Sequence, residues 1–261
     1  MTSSGGLRGY FVRSENARGF SLLAPTLILL VLMMVIPIIV LVARSFWTQS
    51  GMIETADFSL VNYQMFFEKK IYLYVLGKSL LISGSVTFAT LILAYPAAYF
   101  VAFRVKKNKL IWLILITVPF WTSYLLRVFA WKLMLGYNGV VNSGLIGIGI
   151  IDEPLGFLLH NVNAVVLTLA HAWAAFAILP IYVSLEKIDK SLLEAAADLG
   201  EGPIRSFLRV TLPLSMPGVI AASLLVFIPT VGDYVTPKLV GGSSGIMIGN
   251  LVTNMFGRGN N

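Results

Sequence analysis

The chain has 261 residues, 57% hydrophobic and 12% charged, with 19 Lys and Arg against 12 Asp and Glu, and no cysteine. A soluble domain carries about 25% charged residues, so this composition leaves too little charge to solvate a surface and excludes a water-soluble enzyme. The lack of cysteine excludes a disulfide scaffold, a cysteine-ligated metal centre and a thiol nucleophile.

A helix that crosses a bilayer needs roughly 20 predominantly apolar residues, and five windows of that kind are read in chain order. A tail over 1–20, with Arg8, Arg13 and Arg18, precedes a span over 21–43. That span exceeds the 7–15 residues of a secretory h-region and is expected to stay as an anchor. After a loop over 44–72 comes a span over 79–103, closed by the basic cluster Arg104, Lys106, Lys107 and Lys109. The window 110–135 is read as one span although Arg127 and Lys132 interrupt it. Residues 161–185 form the fourth, and the uncharged window 210–232, with its span drawn over 212–232, forms the fifth.

The remaining window, 239–257, is rich in Gly, Ser and Asn and reads as a loop with one short helix at 246–255, ahead of a tail over 258–261. The fold class is therefore an all-α polytopic membrane protein with five predicted transmembrane helices. Basic residues concentrate on the cytoplasmic side of membrane proteins, which puts the N-terminus and the loops at 104–109 and 186–211 inside. The net charge of +7 then reflects topology and contact with membrane lipid, with no nucleic acid as partner.

The inside loop carries punctuation for two short helices. Ser191 followed by Glu194 reads as a capping box, Gly200 suits the left-handed residue after a helix, and Pro203 suits the first position of the next. Leu192, Ala195, Ala196 and Leu199 recur at helical spacing and make a low apolar face, with Arg205 and Arg209 as a basic edge.

The string Glu194-Ala195-Ala196, Gly200 and Val210-Thr-Leu212-Pro213 resembles the EAA loop of permease subunits in ABC importers, with Val210 in the place of Ile. The stretch 227–242, Ile248-Gly-Asn250, and Pro119 to Arg127 with Trp131 are similar to the spermidine/putrescine permease branch. The resemblance implies a type I ABC importer permease fold over residues 73–257. It implies that Glu194, Ala195, Ala196 and Gly200 dock a cytoplasmic ABC ATPase subunit while Leu212 and Pro213 carry the movement into the fifth span. It further implies a second permease subunit of a different chain, a periplasmic or lipid-anchored solute-binding protein, a bacterial inner-membrane location, no cofactor and no catalytic residue on this chain. The solute is expected to be a polyamine or, alternatively, an opine or amino-acid derivative. Such permeases end in a sixth span, and here the chain closes at Asn261 without one; a truncated reading frame is expected, with a working five-span variant as the alternative.

Ionisable groups at membrane depth are functional by default. Asp233, beside Tyr234, either meets a cationic substrate or sits in the interfacial loop and pairs with Lys238 or a neighbour. Arg127 either snorkels to the headgroups with Lys132 or faces the pathway. Trp121, Trp131 and Trp173 read as interfacial anchors or packing, with Trp121 also a candidate for the pathway. His171, among alanines that allow close helix approach, is expected to bond across a helix contact and not to hold a metal. No His-Glu-x-x-His, Gly-x-Ser-x-Gly or Gly-x-x-x-x-Gly-Lys-Ser/Thr string occurs, so an intramembrane enzyme is disfavoured and the ATP site is expected on another chain.

Overall fold

In the computed structural model of the protein, residues 15–50, 53–158 and 160–257 are described, and Arg8, Arg13 and the tail 258–261 lie outside them. Two units emerge, one ending at Glu68 and one beginning at Lys69. The first holds α1 (Glu15–Ser45), a hairpin of β1 (Thr48–Ser50) and β2 (Ile53–Thr55), and α2 (Val61–Glu68). An 18-residue window within Gly19–Ser45 reaches a mean hydropathy of 3.2, and Pro25 and Pro37 lie inside the helix. The end of α1 is tied down by Asn62, whose Nδ2 donates to the Ser45 and Trp47 carbonyls at 3.0 and 2.8 Å. The stretch expected as loop 44–72 thus has structure of its own.

The second unit begins with α3 (Lys70–Tyr99), which runs through a wide π-helical turn at Phe100–Arg104. It starts well before the predicted boundary at 79: Lys70 is its first residue and Lys78 lies inside it, since a lysine side chain does not interrupt backbone hydrogen bonding. The predicted third span is not one rod. Helix α4 (Lys109–Thr117) passes through a 3-10 turn, Val118–Trp121, and α5 (Tyr124–Leu135) leads into α6 (Val140–Gly147); the two halves are bent by 81°. Pro119 in that turn removes a backbone donor, and Thr122 continues extended, with ψ 155°.

Helix α7 (Val162–Glu186) is the fourth span. It is followed by α8 (Lys190–Asp198), by the single turn α9 (Pro203–Ser206) and by a second π-helical turn at Phe207–Thr211 that leads directly into α10 (Leu212–Val231). The second helix of the inside loop is therefore no separate helix: Pro203–Val231 is one continuous apolar segment. Helix α11 (Val235–Val240) leads into the Gly-rich window, which holds α12 (Ile248–Gly257), close to the short helix expected at 246–255. Apart from the hairpin, the described elements are helical.

The core of this unit lies where α3, α7 and α10 meet. Lipid tails supply no hydrophobic drive between helices, so close packing of small side chains has to hold them together. Ala94, Ala98, Ala164, Ala177 and Ala222 are buried there, and buried Ser79, Thr87, Thr90 and Thr230 return their hydroxyl protons to carbonyls four residues back. Tyr95 and Ser215 join α3 to α10 through a 2.8 Å hydroxyl pair. At the basic-loop end, Lys109 Nζ bonds both Glu186 carboxylate oxygens at 2.8 and 2.9 Å and the Ala102 carbonyl at 2.8 Å.

Candidate functional site

Two places gather the expected functional residues, at opposite ends of α10. Its 20 residues span about 30 Å at 1.5 Å per residue.

At the α8 end, Asp189 caps the helix, accepting the Ser191 N–H at 2.9 Å. The capping box predicted from Ser191 and Glu194 does not form: the helix starts earlier, because a carboxylate is a better partner than a hydroxyl for the positive end of a helix. The same bond holds the Asp189 carboxyl below its ordinary range. Gly200 adopts φ +82°, and Glu201 N–H and Gly200 N–H return to the Ala196 and Ala197 carbonyls, closing the left-handed stop. Pro203 opens the next turn as expected.

The apolar face read from spacing is divided. Ala196 is buried against its own chain, whereas Leu192, Glu194, Ala195 and Leu199 are exposed, Leu199 to 84%. Glu201 pairs with Arg209 across the turn. Leu212 and Pro213 begin α10 directly after the π-helical turn.

At the other end, α10 stops at Gly232 and the chain turns through Asp233 and Tyr234 into α11. The hydroxyl of Tyr124, the first residue of α5, donates to Asp233 Oδ2 at 2.6 Å, and Val235 N–H donates to Oδ1 at 2.9 Å. Buried Thr236 lies 2.5 Å from the Tyr124 oxygen; since Tyr124 gives its one proton to the carboxylate, Thr236 donates to Tyr124. Among the described residues no Lys or Arg is within ion-pair distance of Asp233, so the local pair with Lys238 is not formed.

From below, the turn is held by the Gly-rich segment. Asn250 Nδ2 donates to the Tyr234 carbonyl at 2.7 Å, and Ile248 N–H donates to Ser79 Oγ at 2.7 Å. A Cβ on Gly249 would come within 2.6 Å of the Gly232 carbonyl, so only glycine allows this approach.

Asp233 and Tyr234 open onto a cleft of about 340 Å³ with Tyr124, Arg127, Trp173, Phe176 and Pro229 on its walls. Sharing Trp173, Phe176 and Pro229, an apolar groove of about 460 Å³ continues along Leu224, Leu225 and Ile228. Arg127 does not snorkel outward: it lies 5.0 Å over the Phe120 ring and donates to the Ala172 carbonyl at 3.2 Å. Trp121 is 81% exposed and is not among the cleft walls. His171 accepts from Trp131 Nε1 at 3.1 Å across two helices, the cross-helix bond expected of it. Tyr124 lies within the stretch Pro119 to Arg127 that carries the resemblance, but nothing in that stretch marked it as the partner of Asp233, 109 positions away.

A family profile described as "Binding-protein-dependent transport system inner membrane component" matches residues 5–257. The spermidine/putrescine transport system permease protein PotB of Escherichia coli (strain K12) is 37% identical over 228 residues, covering 87% of this chain and 82% of that protein. PotB of Haemophilus influenzae is also 37% identical, covering 87% and 79%. The inner membrane ABC transporter permease protein YdcU of Escherichia coli is 35% identical over 216 residues, covering 78% and 68%. Among solved structures, a chain of a bacterial ABC transporter involved in import of the acidic polysaccharide alginate superposes with a TM-score of 0.69 at 16% identity, covering 96% of this chain and 87% of that one. A second alginate transporter structure, in complex with a periplasmic protein, gives 0.70 at 18% identity over 97% and 87%. At that identity the two structures speak for the fold alone.

Proposed function

Because the chain belongs to the family of binding-protein-dependent transport system inner membrane components, and is thus a membrane-spanning permease subunit of an ABC importer whose ATPase is a separate subunit, we propose that its outer cleft meets a polyamine of the spermidine/putrescine kind. The observation that carries this reading is the Asp233 carboxylate. It is held by neutral donors only, which orient the charge without cancelling it. Aromatic walls from Tyr234, Trp173 and Phe176 attract ammonium groups, and the apolar groove beyond suits the methylene chain between them. The identity to PotB proteins supports the same solute class.

At the other end, the exposed Glu194, Ala195 and Leu199 with the Gly200 turn offer a docking surface for the ATPase, and Leu212 and Pro213 connect it to α10. A second permease chain of different sequence and a periplasmic or lipid-anchored solute-binding protein complete the transporter. The N-terminus lies in the cytoplasm, in accord with the basic cluster at 104–109.

The test is uptake of radiolabelled spermidine into proteoliposomes that hold the chain with its ATPase, partner permease and binding protein. Asp233→Asn is expected to lower uptake at limiting spermidine while the complex still purifies intact; unchanged uptake would remove Asp233 from the pathway. Gly200→Asp or Glu194→Lys is expected to lose the ATPase from the purified complex while the partner permease is retained.

A second reading rests on Arg127, which lines the cleft with Asp233. One acid and one base in the same cleft suit an amino-acid derivative carrying both charges. Competition of labelled spermidine uptake by an opine, and not by putrescine, would favour it.

A further inference from the structure

Resting on the proposed role of Asp233, we infer that Tyr124 is the positioning residue for the cation-binding carboxylate. A carboxylate at the end of an aspartate side chain turns freely about its last bond unless both oxygens are held. Here Oδ1 is fixed by Val235 N–H of its own turn, and Oδ2 is fixed from another helix by Tyr124 at 2.6 Å. Thr236 supports the Tyr124 oxygen from the same α11 turn, so that Tyr124 links two side chains of the α10–α11 turn to α5.

The chemistry of the donor matters. An Arg or Lys in the place of Tyr124 would orient the carboxylate equally well and would also neutralise it, leaving nothing for an incoming ammonium. A phenol gives one short hydrogen bond and keeps the full negative charge. The two oxygens each retain a lone pair for a ligand, since a carboxylate accepts about four bonds and the protein supplies two.

Tyr124 acts through Asp233 and so has a kinetic signature distinct from packing. In the reconstituted importer, with spermidine as the probe, Tyr124→Phe is expected to raise KM by about tenfold, the order of one lost bond to a charged group, with Vmax held within about twofold. In the Asp233→Asn background the same change is expected to add nothing, because the group it positions is gone. Thr236→Val is expected to raise KM in the same direction by less, and it carries the test if the Phe variant does not assemble. An unchanged KM in Tyr124→Phe, or a KM increase that multiplies with that of Asp233→Asn, overturns the inference. An unchanged KM in Asp233→Asn alone overturns the polyamine reading of the cleft instead.

Discussion

Gly218 and Gly200 are both invisible in hydropathy and differ in what they permit. A Cβ on Gly218 would stand 2.5 Å from the Pro180 carbonyl oxygen and 2.5 Å from Ser184 Cβ, at the crossing of α7 and α10, where neither neighbour can give way. Gly218→Ala is expected to cost roughly 1–3 kcal/mol by overpacking, read as a lower unfolding temperature of the detergent-solubilised protein. At Gly200 a Cβ would meet open space, but φ is +82°, which costs a side-chain-bearing residue roughly 1–2 kcal/mol. Gly200→Ala is therefore expected to keep the transmembrane unit folded and to weaken ATPase retention on co-purification. Gly200 was legible because a helix stop is written in its own neighbourhood. Gly218 was not, because its close approach is to residues of another helix 34 to 38 positions away. The Tyr124–Asp233 bond was hidden for the same reason.

Helix boundaries show a similar division. Elements bounded by charge were legible: α7 and the α10 segment end where Glu186 and Asp233 stand. The 81° break at Pro119 to Ser123 was not, since hydropathy registers how greasy a stretch is and carries no record of its direction. In α8 the cap was placed two residues late, because Asp189 and Ser191 both suit an N-cap and only the backbone decides between them. Its carboxyl lies below the ordinary range, so the cap contributes above the unfolded-state value and is lost as pH falls through the lower folded one. Asp189→Ala is expected to weaken ATPase retention at neutral pH, Asp189→Asn to restore most of it, and only the wild type to lose retention as the medium is acidified into the carboxylate range.

Across the whole chain, the spans were legible from composition, and the docking loop from its punctuation. How the spans pack was not. Beside Val, Leu and Ile, the interface of α3, α7 and α10 buries Ser and Thr, residues that in a soluble protein are mostly exposed; in a bilayer such small residues, with Ala, allow backbones to come close. Orientation can be read directly because the chain has no cysteine. A single cysteine at Lys107 is expected to react with a membrane-impermeant maleimide only after the cells are opened, and one at Glu153 in intact spheroplasts.

The π-helical turn at Phe207–Thr211, where Leu212 N–H reaches back five residues to the Phe207 carbonyl, acts as a phase shifter. Each α-helical residue advances the chain by about 100°, so the extra residue sets the azimuth of everything before it relative to the core-facing side of α10. Deleting one residue within 207–211 would straighten the helix and leave its circular dichroism essentially unchanged. The same deletion would swing α9 and the Gly200 turn by about a quarter turn around the axis. A permease with an undisturbed bundle and a coupling surface pointing the wrong way is the expected product, and it would separate helix integrity from mechanical timing in one construction.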